Sequence, residues 1–263
     1  MPTLSSYPFT LLMNYISKNI LVASLICGLF LIMAACQTES EAQKIINRAI
    51  DAHGGEQFQK AKISFDFRDK HYKIFKSPDA FEYVREFTDS LGFVRDVLIN
   101  EGFERSIDGN PVSLEEKWIR AYSNSVNSVA YFAFLPYGLN DAAVQKTLLE
   151  ETQLEGQKYH LVKVTFEEDG GGEDFDDEFL YWINQETNLI DYLAYSYHTD
   201  GGGVRFRKAT KRHLLEGLTL QDYENYQPKE KETSLMDLES LFVAGELELL
   251  SEIELENVEV TFK

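Results

Sequence analysis

An acidic, glycine-rich loop is the segment whose residue types most directly suggest chemistry. Residues 167–178 read EEDGGGEDFDDE. Carboxylate oxygens on a flexible backbone suit Ca²⁺, and in an extended conformation Asp174, Asp176 and Glu178 share one face. The EF-hand template fails, because a loop counted from Asp169 lacks the glycine at position 6 and the glutamate at position 12. The loop predicts an irregular calcium site or a solvated turn that keeps an edge strand unpaired, and the solvated turn is favoured.

A second glycine triplet, 201–203, joins two predicted strands that carry two tyrosines and two arginines. With the turn centred on the first of these glycines, Tyr197 faces Arg205 and Tyr195 faces Arg207 across the hairpin. Stacked guanidinium–ring pairs are expected there. The chain has 25 basic and 44 acidic residues and a formal net charge of −19, so this stripe is its concentrated basic feature. It predicts either a site for an anionic headgroup or pairing with the protein's own acidic loop, and internal pairing is favoured.

The apolar stretch 129–139, VAYFAFLPYGL, follows a predicted helix and has two interpretations. It is core, which is favoured for aromatic residues near a helix end, or it lines a ligand cavity. In the second interpretation the candidate cavity residues, including those of the hairpins, are Tyr131, Phe132, Phe134, Leu135, Tyr137, Trp182, Tyr195, Tyr197, Arg205 and Arg207.

The sequence contains no catalytic motif. It has no G-x-S-x-G elbow, no Walker A loop and no dinucleotide glycine motif. Its five histidines are scattered and no HExxH is present, so no zinc site is predicted. We therefore predict no enzyme, no catalytic residue and no cofactor beyond the calcium alternative. The strong negative charge repels nucleic acid, which is excluded as a partner.

The elements that must position these residues follow from periodicity and turn chemistry. Strands with short turns over 63–108 predict an antiparallel meander, and a helix follows over 114–134. Further strands occupy 159–213, and a short helix near 235–244 precedes a last alternating strand. An opening helix ends at Gly54-Gly55, and one of its faces carries Ala42, Ile45, Ile46, Ala49, Ile50 and His53. This order predicts an α+β fold with a large antiparallel sheet.

The amino-terminal segment contains a predicted export signal. An uncharged run, 20–35, follows Lys18 and ends in Met-Ala-Ala before Cys36. This pattern is typical of a secretory signal, and the run is shorter than the roughly 20 residues of a spanning helix. A cysteine after small residues resembles the lipobox of bacterial lipoproteins, with methionine where leucine is usual. We predict that 1–35 is a lipoprotein signal peptide and 36–40 a lipidated tether to the membrane; an uncleaved anchor is the alternative.

The hairpin 181–189, YWINQETNL, resembles the matching hairpin of the bacterial lipoprotein-carrier superfamily, the LolA/LolB-like proteins. There a Trp-hydrophobic-Asp/Asn strand end precedes a threonine-containing turn. The helix end at 53–55, the strand at 63–68 and the segment 135–137 are similar too. The mature chain most resembles an uncharacterised lipoprotein family of the Bacteroidota. The resemblance implies that 41–263 is a single LolA/LolB-like domain, a large curved antiparallel sheet forming a half-open barrel with helices on its concave face.

The same resemblance implies a function. In the carriers the concave cavity accepts lipoprotein acyl chains, so we expect a lipid or lipoprotein acyl chain as ligand, without catalysis. The expected location is the bacterial cell envelope at the outer membrane. A free shuttle is not anchored, so lipidation at Cys36 speaks against that role. The alternative is a structural or interaction module of the cell envelope, stabilised by calcium at the acidic loop.

Overall fold

The computed structural model describes residues 39–170 and 175–262, with Asp200 described by its backbone only. Three α-helices lie in this part of the chain: α1 (Glu41–His53), α2 (Glu116–Ala133) and α3 (Leu238–Val243). In the same described residues no helix is both long and apolar enough to cross a membrane. The predicted signal peptide 1–35 and Cys36 lie outside the described residues.

The strands form two antiparallel sheets. The strands of the first sheet are β1 (Ala61–Phe67), β2 (Lys70–Lys76), β3 (Phe81–Asp89), β4 (Gly92–Ile99), β5 (Gly102–Ile107), β6 (Asn110–Pro111) and β15 (Glu256–Phe262). The strands of the second sheet are β7 (Val144–Leu148), β8 (Thr152–Leu154), β9 (Gln157–Phe166), β10 (Phe179–Asn184), β11 (Ile190–Tyr197), β12 (Gly203–Leu215), β13 (Leu218–Gln227) and β14 (Glu248–Ile253).

Neighbouring strands in each sheet mostly follow one another in sequence. The first sheet has the order β15-β1-β2-β3-β4-β5-β6, and the second has β14-β13-β12-β11-β10-β9-β7, with β8 also paired to β9. The short turns between successive strands allow these antiparallel pairings, as the turn sequences predict. The α+β architecture with antiparallel strands and packed helices is therefore confirmed. The strands divide between two sheets, and these do not close into a barrel.

Helix α1 covers the second sheet with the predicted apolar face. Ile45, Ile46 and Ala49 are buried in one cluster with Val162 and Ile183 of that sheet. The helix ends at His53, and the next two residues are glycines with φ of 135° and 58°. These backbone conformations favour glycine. A Cβ on the first of the two would also lie 2.4 Å from a Leu218 methyl carbon.

Helix α2 lies between the two sheets and buries a different face against each. Val126 and Ala130 are fully buried in a cluster with Phe65 of the first sheet. Tyr131 and Phe132, on the neighbouring face, pack against the main cluster of the second sheet. Residues three and four apart share one face of a helix while adjacent residues do not. The helix thus fills the space between the sheets, as the fold prediction required.

Strand β10 is buried along its whole length. All six residues, FLYWIN, are buried, as is typical of a strand covered on both faces. Phe179, Tyr181 and Ile183 face the main cluster with α1 and α2. Leu180 and Trp182 face a separate cluster under α3. This alternation decides which aromatic residues reach the interior between the sheets.

Candidate functional site

A cleft of about 860 Å³ lies between α2 and the second sheet. We call it the aromatic cleft, because its wall contains six aromatic side chains: Tyr131, Phe132, Phe166, Phe179, Tyr195 and Tyr197. Its remaining wall is mostly polar, with small side chains from the exposed face of α2 and Arg205 from β12. The cleft therefore combines an apolar surface with a polar rim.

Phe179 stands at the centre of the aromatic wall. Its ring centroid lies 5.4 Å from that of Tyr131, 5.7 Å from Phe166 and 5.5 Å from Tyr195. These are the usual separations of interacting aromatic rings. Phe132 reaches the same group from α2, with its ring 5.2 Å from Tyr195. Alternate residues of β10 and β11 lie on the same face of the sheet, and Tyr131 and Phe132 belong to the turn of α2 that packs against this face. The rings are brought together in this way.

A tyrosine pair closes the inner end of this wall. The hydroxyl oxygens of Tyr131 and Tyr181 lie 2.7 Å apart, at hydrogen-bond distance. Burial raises the pKa of both phenols above the usual value, so both stay neutral at physiological pH. The pair joins α2 to β10 without introducing a charge.

The Tyr–Arg hairpin has a register two residues away from the predicted one. Tyr195 lies opposite Arg205 and Tyr197 lies opposite Gly203, so the turn centres on residue 200. A shift of two residues keeps every side chain on its predicted face. The predicted pairs consequently form on the diagonal: the Arg205 guanidinium carbon lies 4.9 Å from the Tyr197 ring centroid, and Arg207 Nη2 donates to the Tyr195 hydroxyl at 2.9 Å.

Five of the ten predicted cavity residues line the aromatic cleft: Tyr131, Phe132, Tyr195, Tyr197 and Arg205. A sixth, Arg207, lies behind Phe132, with its guanidinium carbon 3.8 Å from the ring centroid. Sequence analysis missed Phe166 and Phe179. Phe179 lies two residues before Tyr181 and must share its face, but the run 179–183 is apolar throughout, so its sequence does not show which face lines the cleft.

Four predicted cavity residues lie elsewhere. Phe134 is buried in the core cluster of the first sheet and Leu135 in that of the second, in agreement with the core interpretation of their segment. Tyr137 lines a different, largely polar cleft of about 780 Å³. Trp182 lies on the opposite face of β10, where its indole Nε1 donates to Glu239 at 2.7 Å. Trp182 therefore lies outside the aromatic cleft, because Phe179 and Tyr181 occupy the face of β10 that is directed toward α2.

Two of the three ligands predicted in the acidic loop lie in the described part of the chain. Asp174 lies outside the described residues, and Glu178 pairs with Lys163 at 2.6 Å. Asp176 instead lies beside Asp177 and His198, with one donor atom of each within 4.8 Å of the others. An imidazole is not among the oxygen ligands that Ca²⁺ prefers. Calcium binding at this loop stays a prediction.

The fold and the cleft define the protein as an α+β, two-sheet antiparallel protein with a ligand-sized cleft beside its central helix. The chain belongs to DUF6503, a family of unknown function, whose model matches residues 18–255. No curated protein sequence matches the chain.

Several solved structures are similar to this chain at low sequence identity. A LolA superfamily protein from Nitrosomonas europaea is 12% identical, with 84% of this chain and 91% of that chain covered and a TM-score of 0.47. A putative outer membrane lipoprotein-sorting protein domain from Vibrio parahaemolyticus is 7% identical, with 84% and 94% covered and a TM-score of 0.40. A DUF1329 family protein from Desulfovibrio piger is 10% identical, with 84% and 91% covered and a TM-score of 0.36.

Proposed function

We propose that this protein is a non-catalytic lipoprotein of the bacterial cell envelope that binds an apolar or amphipathic ligand in the aromatic cleft. The ligand class is a lipid or a lipoprotein acyl chain. The observation that carries the proposal is the cleft itself, about 860 Å³ in volume with six aromatic side chains in its wall. Ligand sites in proteins have volumes of roughly 300–1,000 Å³ and mainly apolar walls with a few polar groups.

The residues in the wall of the aromatic cleft are suited to binding an apolar chain. Each methylene group that leaves water for an apolar surface contributes about 0.8 kcal/mol, so a chain of moderate length binds without strong polar contacts. Polar groups beside the apolar wall would orient the less apolar end of the ligand. The described residues of the wall include serines but neither histidine nor cysteine, so we propose binding without a covalent step.

The envelope location rests on the amino-terminal sequence. The run 20–35 has the composition of a secretory signal, and Cys36 follows its small residues. Removal of 1–35 leaves Cys36 as the single cysteine of the mature chain, because Cys27 lies in the removed segment. Acylation of Cys36 would account for that cysteine and hold the protein at the membrane, with the outer membrane as the proposed site.

The test of the cleft uses lipid co-purification and a neutral probe. Native mass spectrometry of the purified protein is expected to show bound lipid, and the fluorescence of N-phenyl-1-naphthylamine is expected to rise on binding. Asn127→Trp places an indole on the cleft face of α2 and should weaken probe binding at least five-fold by filling the space. The control Lys117→Trp changes an exposed position in the first turn of α2, outside the cleft wall.

The outcomes separate clearly. Loss of probe binding in Asn127→Trp with normal binding in Lys117→Trp supports the aromatic cleft as the site. Equal binding in both variants would place the ligand elsewhere on the molecule. A lipid-free spectrum together with no probe binding by the unaltered protein would overturn the proposed function. Circular dichroism and thermal melting check that both variants fold.

A further inference from the structure

A smaller cavity of about 170 Å³ lies beside the aromatic cleft, between α2 and strands β13 and β14. We call it the inner cavity. Phe132 and Ser128 line both spaces, so the two spaces adjoin along one turn of α2. Its apolar wall includes Val129 and Ile253. Its polar wall is the unusual part, because it contains buried groups whose hydrogen bonds are incomplete.

Arg207 is a buried cation in this wall, and the residue is 8% exposed. Nη2 donates to Tyr195, whereas Nε has no hydrogen-bond partner. Within the described part of the chain, no carboxylate forms an ion pair with it. The rings of Phe132 and Tyr195 contact the guanidinium at 3.8 and 5.1 Å, but ring faces do not neutralise a charge. Buried charges are normally paired.

Asn225 adds a second incomplete group. It is 7% exposed, its Nδ2 donates to Ser251 at 3.2 Å, and its Oδ1 has no partner. A half turn of the amide would let the Ser251 hydroxyl donate to Oδ1 and direct Nδ2 into the cavity. The inner cavity would then present two buried N–H donors, from Arg207 and Asn225.

The charged side chains in the wall of the inner cavity are both positive. Two arginines, Arg68 and Arg207, line the inner cavity, and its described lining contains neither Asp nor Glu. This is unusual in a chain with 44 acidic and 25 basic residues. Arg68 is exposed and Arg207 buried, so positive charge lines the cavity from an exposed residue to a buried one.

We propose that the inner cavity binds the terminal oxyanion, a carboxylate or a phosphate, of the ligand whose chain occupies the aromatic cleft. This inference rests on the proposed function and specifies the ligand as an anionic amphiphile. The Arg207 guanidinium donates to the oxyanion from Nε and supplies the opposite charge, and the Asn225 amide supplies a further donor. Charge-assisted hydrogen bonds of this kind are strong when buried.

The first experiment compares ligands on the unaltered protein. Bound N-phenyl-1-naphthylamine, which is neutral, is displaced with dodecanoate, dodecyl phosphate or dodecanol. Dodecanoate, dodecyl phosphate or both should displace the probe at a concentration at least ten-fold lower than dodecanol, and the stronger of the two identifies the oxyanion. Equal potency of all three would overturn the inference and leave the proposed function intact. Absence of any probe binding would overturn the proposed function itself.

The second experiment removes the cation. Arg207→Met should reduce the affinity for the preferred anion at least ten-fold more than it reduces the affinity for dodecanol, because dodecanol has no oxyanion. The control is Lys208→Met, which removes a charge one residue away on the opposite face of β12, where Lys208 pairs with Glu155. Unchanged anion affinity in Arg207→Met, or an equal loss in the control, would show that Arg207 only braces the rings. If Arg207→Met does not fold, Asn225→Leu takes its place and should reduce the affinity for the preferred anion at least three-fold. The ligand comparison on the unaltered protein tests the inference in either case.

Discussion

At the scale of single residues, buried polar groups reveal more about this protein than its surface charges do. Arg207, Asn225 and His53 are all almost fully buried. The folded state retains such groups only where hydrogen bonds or a ligand offset their desolvation. Arg207 and Asn225 face a cavity and have unmet hydrogen bonds, which is why they point to a ligand. His53 Nε2 also lacks a partner among the described residues, but His53 lines neither the aromatic cleft nor the inner cavity, and its Nδ1 contacts its own helix at the end of α1.

His53 makes stability depend on pH. Its Nδ1 donates to the Ala49 carbonyl at 2.8 Å. The pKa of the imidazole is lowered from 6.5 to about 4, mainly by burial; the charge of Arg212 contributes to this lowering, and the charge of Asp191 opposes it. Between these pH values the unfolded chain binds a proton that the folded chain does not. Stability is therefore fully present above pH 6.5 and falls as pH is lowered toward 4, by about 3 kcal/mol from this group.

The variant His53→Phe tests this dependence. Urea unfolding at pH 7.5, 6.0 and 5.0 should show a steeper loss of the free energy of unfolding in the unaltered protein than in the variant. The carboxylates titrate in both proteins and cancel in the difference. Identical pH dependence of the two proteins would contradict the assignment.

At the scale of elements, α2 is the part on which the site depends. One of its faces seals the core of the first sheet, and the adjacent face supplies Tyr131 and Phe132 to the aromatic cleft. The helix is attached to the first sheet by a polar network as well. Arg85 donates to Ser125 of α2 at 2.7 Å, and the Arg105 guanidinium lies 3.6 Å from the Tyr122 ring centroid.

Asp96 holds this network together. It is fully buried and accepts from both Arg85 and Arg105, at 2.6 Å each. Asp96→Asn leaves the buried Arg85 and the partly buried Arg105 without their counter-charge and should lower the free energy of unfolding by about 3–5 kcal/mol. Chemical denaturation measures this loss.

The matched control for Asp96→Asn is Glu86→Gln on the adjacent strand. Glu86 also contacts two cations, Lys73 at 2.8 Å and Arg95 at 3.1 Å, but both of these side chains are exposed. Exposed pairs contribute roughly 0–1 kcal/mol, so the control should lose little stability. Equal losses in the two variants would contradict a special role for the buried network.

Particular elements show how far sequence reasoning reached. The apolar face of α1 and its end at His53 were predicted residue by residue, because both depend on neighbours within four positions. The hairpin faces were predicted correctly although the turn was placed one residue late, since an even shift preserves them. The side of β10 that faces α2 could not be read from its sequence, because every residue of that strand is buried.

At the scale of the whole molecule, the negative charge of the chain and its predicted amino-terminal signal decide how we expect the protein to attach to a membrane. The proposed signal segment 1–35 contains one basic residue, Lys18, and no acid, so its removal would leave 24 basic and 44 acidic residues, a net charge of −20. Such a domain is repelled by anionic lipid surfaces. Attachment to a membrane would therefore depend on the acylated cysteine.

The variant Cys36→Ser tests the anchor. In a bacterial host that processes lipoproteins, the unaltered protein should sediment with membranes and incorporate an alkyne fatty acid, because several acyl chains give stable attachment. Cys36→Ser should lose the label and leave the membrane fraction. Cys27→Ser is the matched control, since Cys27 lies in the segment whose removal we propose, and it should keep both properties. Labelling of Cys36→Ser at the normal level would exclude acylation at this cysteine.

The sequence by itself determined the features that depend on near neighbours: the predicted export signal before Cys36, the α+β order of elements, the exposed and buried faces, and the absence of known catalytic motifs. Only the tertiary structure decided which aromatic side chains share a cleft and that Arg207 is buried with no ion-pair partner among the residues that the structure describes. The physical reason is that α2, β10 and β12 are separated by tens of residues in the chain. Their meeting depends on how two sheets pack around one helix, and periodicity within a single element does not encode that packing.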